Sequence, residues 1–228
     1  MKSQSFFGRI RALAVVACVC AAVCVPVVPA ATGQTTQTTR ETSTPYTGDL
    51  SHFDYPERGK KLQVNRVMDL LGIKAGSSVA DIGAGGGWFT MLAANRVGPS
   101  GTVYAEDINP EAMDYIRNRA QHEHLGNVRE VLGKPDNAEL PASSVDAVLL
   151  LKSYHEVAEP VTLLRNLRAS LRNNARVGII DRNGNGADHG INKDVVIKEA
   201  GEAGYKLVGT YDFVKPDKVD YFLVFQPE

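Results

Sequence analysis

Short continuous apolar runs alternate along the chain with stretches in which apolar residues recur every three to four positions. The runs end at Ile82, Ala105, Leu132, Leu151 and Ile180, and each of the first four stops at a glycine-rich, acidic or polar break. Runs of this kind suit strands buried on both faces of a sheet. Between them, helical spacing appears over Pro56 to Leu71, Trp88 to Val97, Asn109 to before Gly126, Pro160 to Arg172 and Ile191 to Ala203. Gly72 and Gly204 stand where the first and last of these would stop. Met113, Ile116 and Ala120 form one inward stripe, and Leu163, Leu164, Leu167 and Leu171 form another. Two final alternating runs, Tyr205 to Phe213 and Asp220 to Phe225, are joined by Lys215-Pro216-Asp217-Lys218-Val219, short enough for an antiparallel hairpin. The pattern predicts an α/β fold with a doubly wound, mostly parallel seven-stranded sheet and a closing C-terminal antiparallel hairpin.

The first fifty residues break this pattern. Lys2, Arg9 and Arg11 precede 17 apolar residues, Ala12 to Val28, followed by Pro29-Ala30-Ala31. Residues 1–30 read as a secretory signal peptide cleaved after Ala30, with an uncleaved anchor as the alternative. Residues 31–50 are rich in Thr, Gln and Ser and read as a disordered linker. The folded domain is then 51–228, with export to the periplasm or medium and membrane contact only through an uncleaved N-terminal segment. Cys18, Cys20 and Cys24 all lie in the apolar run, so the mature chain has no thiol for a disulfide, a metal or catalysis. Removing residues 1–30 takes three of 25 basic residues and none of 26 acidic ones, leaving a net charge of −4. A mildly acidic domain is poorly suited to electrostatic capture of nucleic acid, so the expected partner is a small molecule.

Candidate chemistry gathers at the ends of the apolar runs. Asp81-Ile82 breaks into Gly83-Ala84-Gly85-Gly86-Gly87, and the next run ends in Glu106-Asp107, 24 positions past Gly83. A strand, a glycine turn and a helix followed by a carboxylate at the next strand's tip form a nucleotide-binding βαβ half, the acid accepting ribose hydroxyls. A dinucleotide fingerprint would need glycine at position 88, which is Trp, so an NAD-dependent oxidoreductase is the weaker reading. Asp81 reads either as a ligand-side acid or as a cap on the following turn. The loop Lys152-Ser153-Tyr154-His155-Glu156 follows the fourth strand, and Asp181 to Gly190 follows the fifth. Both face the ligand edge of a doubly wound sheet, where Asp181, Asp188 and His189 are expected to meet Tyr154 and His155. No metal is expected. A set from Asp181, Asn183 and the 152–156 loop is opposed by Lys152, and His122 and His124 cannot share one helical face.

These residues resemble the motifs of class I S-adenosylmethionine (SAM)-dependent methyltransferases, and in particular a group of exported bacterial members. The shared segments are Asp81 to Thr90, Val103 to Pro110, Gly133 to Asp136, Tyr154-His155 and Ile180 to Ile191. The resemblance implies SAM contacts from Asp81, Gly83, Ala84, Gly85, Gly87, Trp88, Asp107 and Ile108. It also implies an adenine contact from Asp136, with Asn137 as second choice. It implies methyl transfer to a small-molecule or envelope acceptor, with a non-catalytic SAM- or nucleoside-binding module as the alternative. His155 would be the base, Tyr154 would orient the acceptor, and Asp181 or His189 would steady the imidazole. Glu156 departs from a His common in that group.

Overall fold

The computed structural model describes residues 40–228. The expected signal segment and the linker up to residue 39 lie outside the described residues. Among the described residues, six α-helices and seven strands follow in chain order: α1 (Arg58–Leu62), α2 (Val64–Leu71), β1 (Ser78–Ile82), α3 (Trp88–Val97), β2 (Thr102–Asp107), α4 (Pro110–His122), β3 (Val128–Leu132), β4 (Val145–Leu151), α5 (Pro160–Leu167), β5 (Leu171–Arg182), α6 (Lys193–Glu202), β6 (Tyr205–Tyr211) and β7 (Asp220–Pro227). They build a seven-stranded sheet in the order β3-β2-β1-β4-β5-β7-β6. The pairs β3-β2, β2-β1, β1-β4 and β4-β5 are parallel, and β7 runs antiparallel to both β5 and β6. The expected fold class, closing hairpin included, is the observed one.

Strand order reverses between β1 and β4, and in such sheets ligands sit at that switch, outside the carboxyl ends. β1 is buried at all five positions and β4 at all but one, because helices cover both faces. One apolar layer joins Val67, Leu71, Phe89 and Ile116 of α2, α3 and α4 to the sheet. The opposite layer joins Leu163, Leu164, Val196 and Ala200 of α5 and α6. Asp146, at the amino end of β4, accepts from the Ser78 amide at 2.8 Å and pairs with Arg172, tying strands together far from the ligand edge.

Three elements depart from the pattern. The helix expected over residues 56–71 divides at Gln63, which takes a left-handed φ of 51°. The change of direction buries both Leu62 and the Val67–Leu71 stripe, and Gln63 secures it by donating to the Phe213 carbonyl. The helix from Pro160 stops at Leu167, and β5 begins at Leu171, where the buried leucine pairs with Val145 before a register shift. Asn174, at φ 64°, supplies the left-handed residue there, which asparagine tolerates. Residues 40–50, assigned by composition to the linker, run against the ligand edge, with Ser43 buried. Hydrogen bonds from Arg40 and Ser43 to the loops after β4 and β5 hold them there. Among the described residues no helix is long and apolar enough to cross a membrane.

Candidate functional site

The glycine turn after β1 is cramped from two sides. Gly83 has φ 69°, and a Cβ there would stand 2.5 Å from the Ser153 side chain, so the turn tolerates no side chain. Two neighbouring carboxylates hold its amides. Glu106 accepts from the Gly83 amide at 3.3 Å. Asp107 accepts from Gly85 at 2.8 Å through one oxygen and from Asn109, at the start of α4, at 2.9 Å through the other. Glu106 is buried, and loss of water pushes its carboxyl up to about 8, the Gly83 amide opposing. Asp81 is likewise raised to about 6 by burial, although it accepts the Thr90 hydroxyl at 2.7 Å. Asp81 therefore anchors the first turn of α3.

Beside the turn, the Arg58 guanidinium lies 4.3 Å from the Trp88 ring centroid and donates to the Phe53 carbonyl. Burial lowers its pKa. Ile108 and Leu132, at the tips of β2 and β3, are about half exposed, at 46% and 52%. Asn137 folds onto its own turn: its side chain accepts from the Glu139 amide and donates to the Glu139 carboxylate. Asp136 is half-buried beyond β3. The main-chain carbonyl of Asp136 accepts from Asn166 on α5.

On the other side of the switch, β4 and β5 run parallel in the register Leu151↔Ile180, so the loops after them leave side by side. Asp181 is fully buried and accepts from the His155 amide at 3.1 Å. His155 Nδ1 lies 2.9 and 3.0 Å from the two Asp181 carboxylate oxygens. An ionised carboxylate only accepts, so Nδ1 carries a proton, and in the neutral ring Nε2 is the nitrogen with the lone pair. Nε2 lies 3.8 Å from a Glu156 oxygen. Glu156 is raised to about 7, chiefly by burial, with His155 opposing. The His189 ring meets the His155 ring edge-on, with centroids 5.8 Å apart.

Several expectations about this edge need correction. Tyr154 is fully buried, and its hydroxyl donates to Glu199 on α6 at 2.8 Å, so it lies under the sheet and cannot orient an acceptor. Asp188 turns back to accept from the Asn185 amide, and Asn183 accepts from the Lys193 amide. Lys152 pairs with Asp220 at 2.6 Å. The metal set considered from Asp181 and Asn183 is therefore not assembled. Pattern reading missed Arg40, which pairs with Glu199 at 3.0 Å and donates to the Tyr154 and His155 carbonyls. It also missed Ser43 and the structural role of Glu106. Only Glu106 left a trace, as half of the acidic pair that ends the second apolar run.

Residues 79–174 match a family model described as a methyltransferase domain. The fold is that of the class I SAM-dependent methyltransferases, and this segment is similar to their methyltransferase domain. Its cofactor is SAM, and the dinucleotide alternative falls away. Among curated relatives it is 30% identical over 115 residues to the ubiquinone/menaquinone biosynthesis C-methyltransferase UbiE of Hahella chejuensis, covering 50% of this chain and 46% of that one. It is 31% identical over 114 residues to nocamycin O-methyltransferase of Saccharothrix syringae, covering 50% and 41%. The chain thus spans about half the length of the curated relatives it matches. Among solved structures, a SAM-dependent methyltransferase from Aquifex aeolicus superposes with a TM-score of 0.70 at 24% identity, covering 78% of this chain and 98% of that one. The [4+2]-cyclase SpnF superposes at 0.63 with 12% identity, covering 82% and 86%. At these identities both share the fold, and a fold does not dictate a reaction.

The site fits SAM on its own geometry. Asp107 retains lone pairs for ribose hydroxyls after accepting two amides. Ile108 and Leu132 offer apolar surface for a base, and Arg58 brings a cation to the glycine turn for a carboxylate.

Proposed function

We propose that the protein is an active methyltransferase that methylates a small acceptor molecule outside the cytoplasm. One observation carries the reading: His155, pinned at Nδ1 by the buried Asp181, presents its second nitrogen on the same sheet edge as Asp107 and the glycine turn. When bound, SAM supplies an electrophilic methyl group. The chain's own task is to hold the acceptor in line and ease departure of its proton. Alignment alone is worth up to about 7–11 kcal/mol in favourable cases. His155 is the group placed beside the acceptor's proton, Asp181 fixes its tautomer and angle, and Glu156 and His189 flank it. The names of two matched relatives, a ubiquinone/menaquinone biosynthesis C-methyltransferase and nocamycin O-methyltransferase, support a small-molecule acceptor, whereas others are protein-L-isoaspartate O-methyltransferases, which makes isoaspartyl peptides the competing acceptor class. The acidic balance argues against nucleic acid, and the basic-then-apolar pattern of residues 1–30 supports export.

That same pattern favours a second reading. SAM is a cytoplasmic metabolite, so an exported domain of this fold also suits a SAM- or nucleoside-binding module without turnover. The two separate by experiment on the full chain. Calorimetry with SAM, S-adenosylhomocysteine and NAD is expected to give saturable binding of the first two only. S-adenosylhomocysteine release is then followed over a panel of quinols, phenols and short isoaspartyl peptides. Release with a small acceptor supports the enzyme, and release with peptide alone overturns the small-molecule assignment. Tight SAM binding without release across the panel favours the binding module. No SAM binding to folded protein sinks both.

A further inference from the structure

We infer that His155, Glu156 and His189 form a site for one divalent transition-metal cation, with its open positions facing the acceptor. The inference rests on the proposed function only for the acceptor's place. The three side chains each offer a ligand atom, and these atoms all lie within 4.8 Å of one another. Two imidazoles and a carboxylate are a donor set that suits Zn, Fe or Ni and leaves coordination positions free.

Three further features of the loops fit that use. The contact of His155 Nδ1 with a buried carboxylate is the arrangement that fixes a metal-bound imidazole, and it leaves Nε2 as the donor atom. The 3.8 Å between Nε2 and the Glu156 oxygen is too long for a hydrogen bond. A cation bonded at about 2.0–2.2 Å to each would lie between them. His189 stands at φ 54°, a costly backbone for a non-glycine residue, and Ser43 holds it there. The Ser43 hydroxyl accepts from the His189 amide at 2.9 Å and donates to the Gly186 carbonyl at 2.7 Å, while its own amide donates to the His155 carbonyl at 3.2 Å. One residue thus ties the two histidine loops together. His189 is exposed, so its ring has room to turn towards a cation. Lys152, which argued against a metal, is occupied by Asp220. With the cation bound, His155 Nε2 is a ligand and no longer the base; the cation instead takes an acceptor oxygen and lowers the pKa of its proton.

The test uses tag-free, full-length protein stripped by chelator, titrated with Zn2+ in a calorimeter and with Co2+ by visible absorbance. One equivalent is expected to bind with Kd below about 10 µM. His189→Ala and Glu156→Gln, neither side chain being fully buried, should each weaken binding by about tenfold or more. Both should keep the wild-type circular dichroism spectrum and melting temperature. The double variant His122→Ala/His124→Ala should bind as wild type. Binding weaker than that limit, binding indifferent to both site variants, or binding lost in the His122/His124 double variant would each overturn the site. SAM calorimetry on the same samples separates the two readings. SAM binding without cation binding removes the metal site alone, and cation binding without SAM removes only the methyltransferase reading.

Discussion

Tyr154 and His155 are adjacent in sequence and do opposite things. Both lie in a single 3-10 turn, Tyr154–Glu156, which sends the tyrosine under the sheet to Glu199 and the histidine to Asp181 on the ligand edge. Tyr154→Phe should therefore cost about 1 kcal/mol in denaturant unfolding and leave SAM affinity and turnover unchanged. A reduced kcat at normal stability would return Tyr154 to the acceptor side. His155, Asp181 and Asp107 were legible because charged groups at the carboxyl tips of buried strands have few structural uses. Which way a residue points from a one-turn helix has no periodic signature, so Tyr154 was misread. Glu106 gives a second residue-level expectation. Its folded carboxyl titrates near 8 against an ordinary 4.5, so folding favours the protonated form. Its contribution to stability is whole below about pH 4.5 and is lost as pH rises through about 8, a swing on the order of a few kcal/mol. Glu106→Gln should flatten the fall in melting temperature between about pH 5 and 8. Asp81, raised in the same direction to about 6, should leave a residual slope at the acidic end.

Among the elements, the segment at residues 40–50 departs furthest from its composition. Arg40 and Ser43 reach the loops after β4 and β5, yet the surrounding Thr and Gln carry no spacing by which a docking strand could be recognised. Ser43→Ala would leave the Gly186 carbonyl and the His189 amide without their partner, a local cost of about 1–3 kcal/mol. Amide hydrogen exchange should quicken over residues 153–157 and 184–190 and stay unchanged in β1, β2 and β3. Uniform protection would show that the segment merely rests on the edge. Regular elements were easier to read: α3 spans Trp88–Val97 as expected, because a glycine turn and Gly98 bracket it. Asn173-Asn174 was legible as a turn into the fifth strand, but the break at Gln63 and the early start of β5 at Leu171 were not, since each answers to packing between distant parts of the chain, namely Phe213 below Gln63 and Val145 beside Leu171.

For the whole molecule, the alternation of buried strands and helices made the doubly wound sheet readable, and the closing hairpin gave its last two strands. Ligand binding should be felt throughout so closely packed a domain. SAM at about 100 times its Kd stabilises the folded state by roughly 2.7 kcal/mol, or on the order of 5–10 °C in melting temperature for a chain of this size. Asp107→Ala should abolish that shift, as read by scanning calorimetry. A full shift in the variant would place the cofactor elsewhere. Asp107, however, is the keystone of a small arch: one springing is the glycine turn at Gly85, the other the foot of α4 at Asn109, and both lean on the same carboxylate. Pulling the keystone slackens the arch before any nucleotide arrives. The alanine variant therefore mixes a lost ligand contact with a loosened frame, whereas Asp107→Asn leaves one oxygen in place to bear half of the thrust. The difference in affinity between the two variants measures how much of the cofactor's grip is architecture and how much is direct touch.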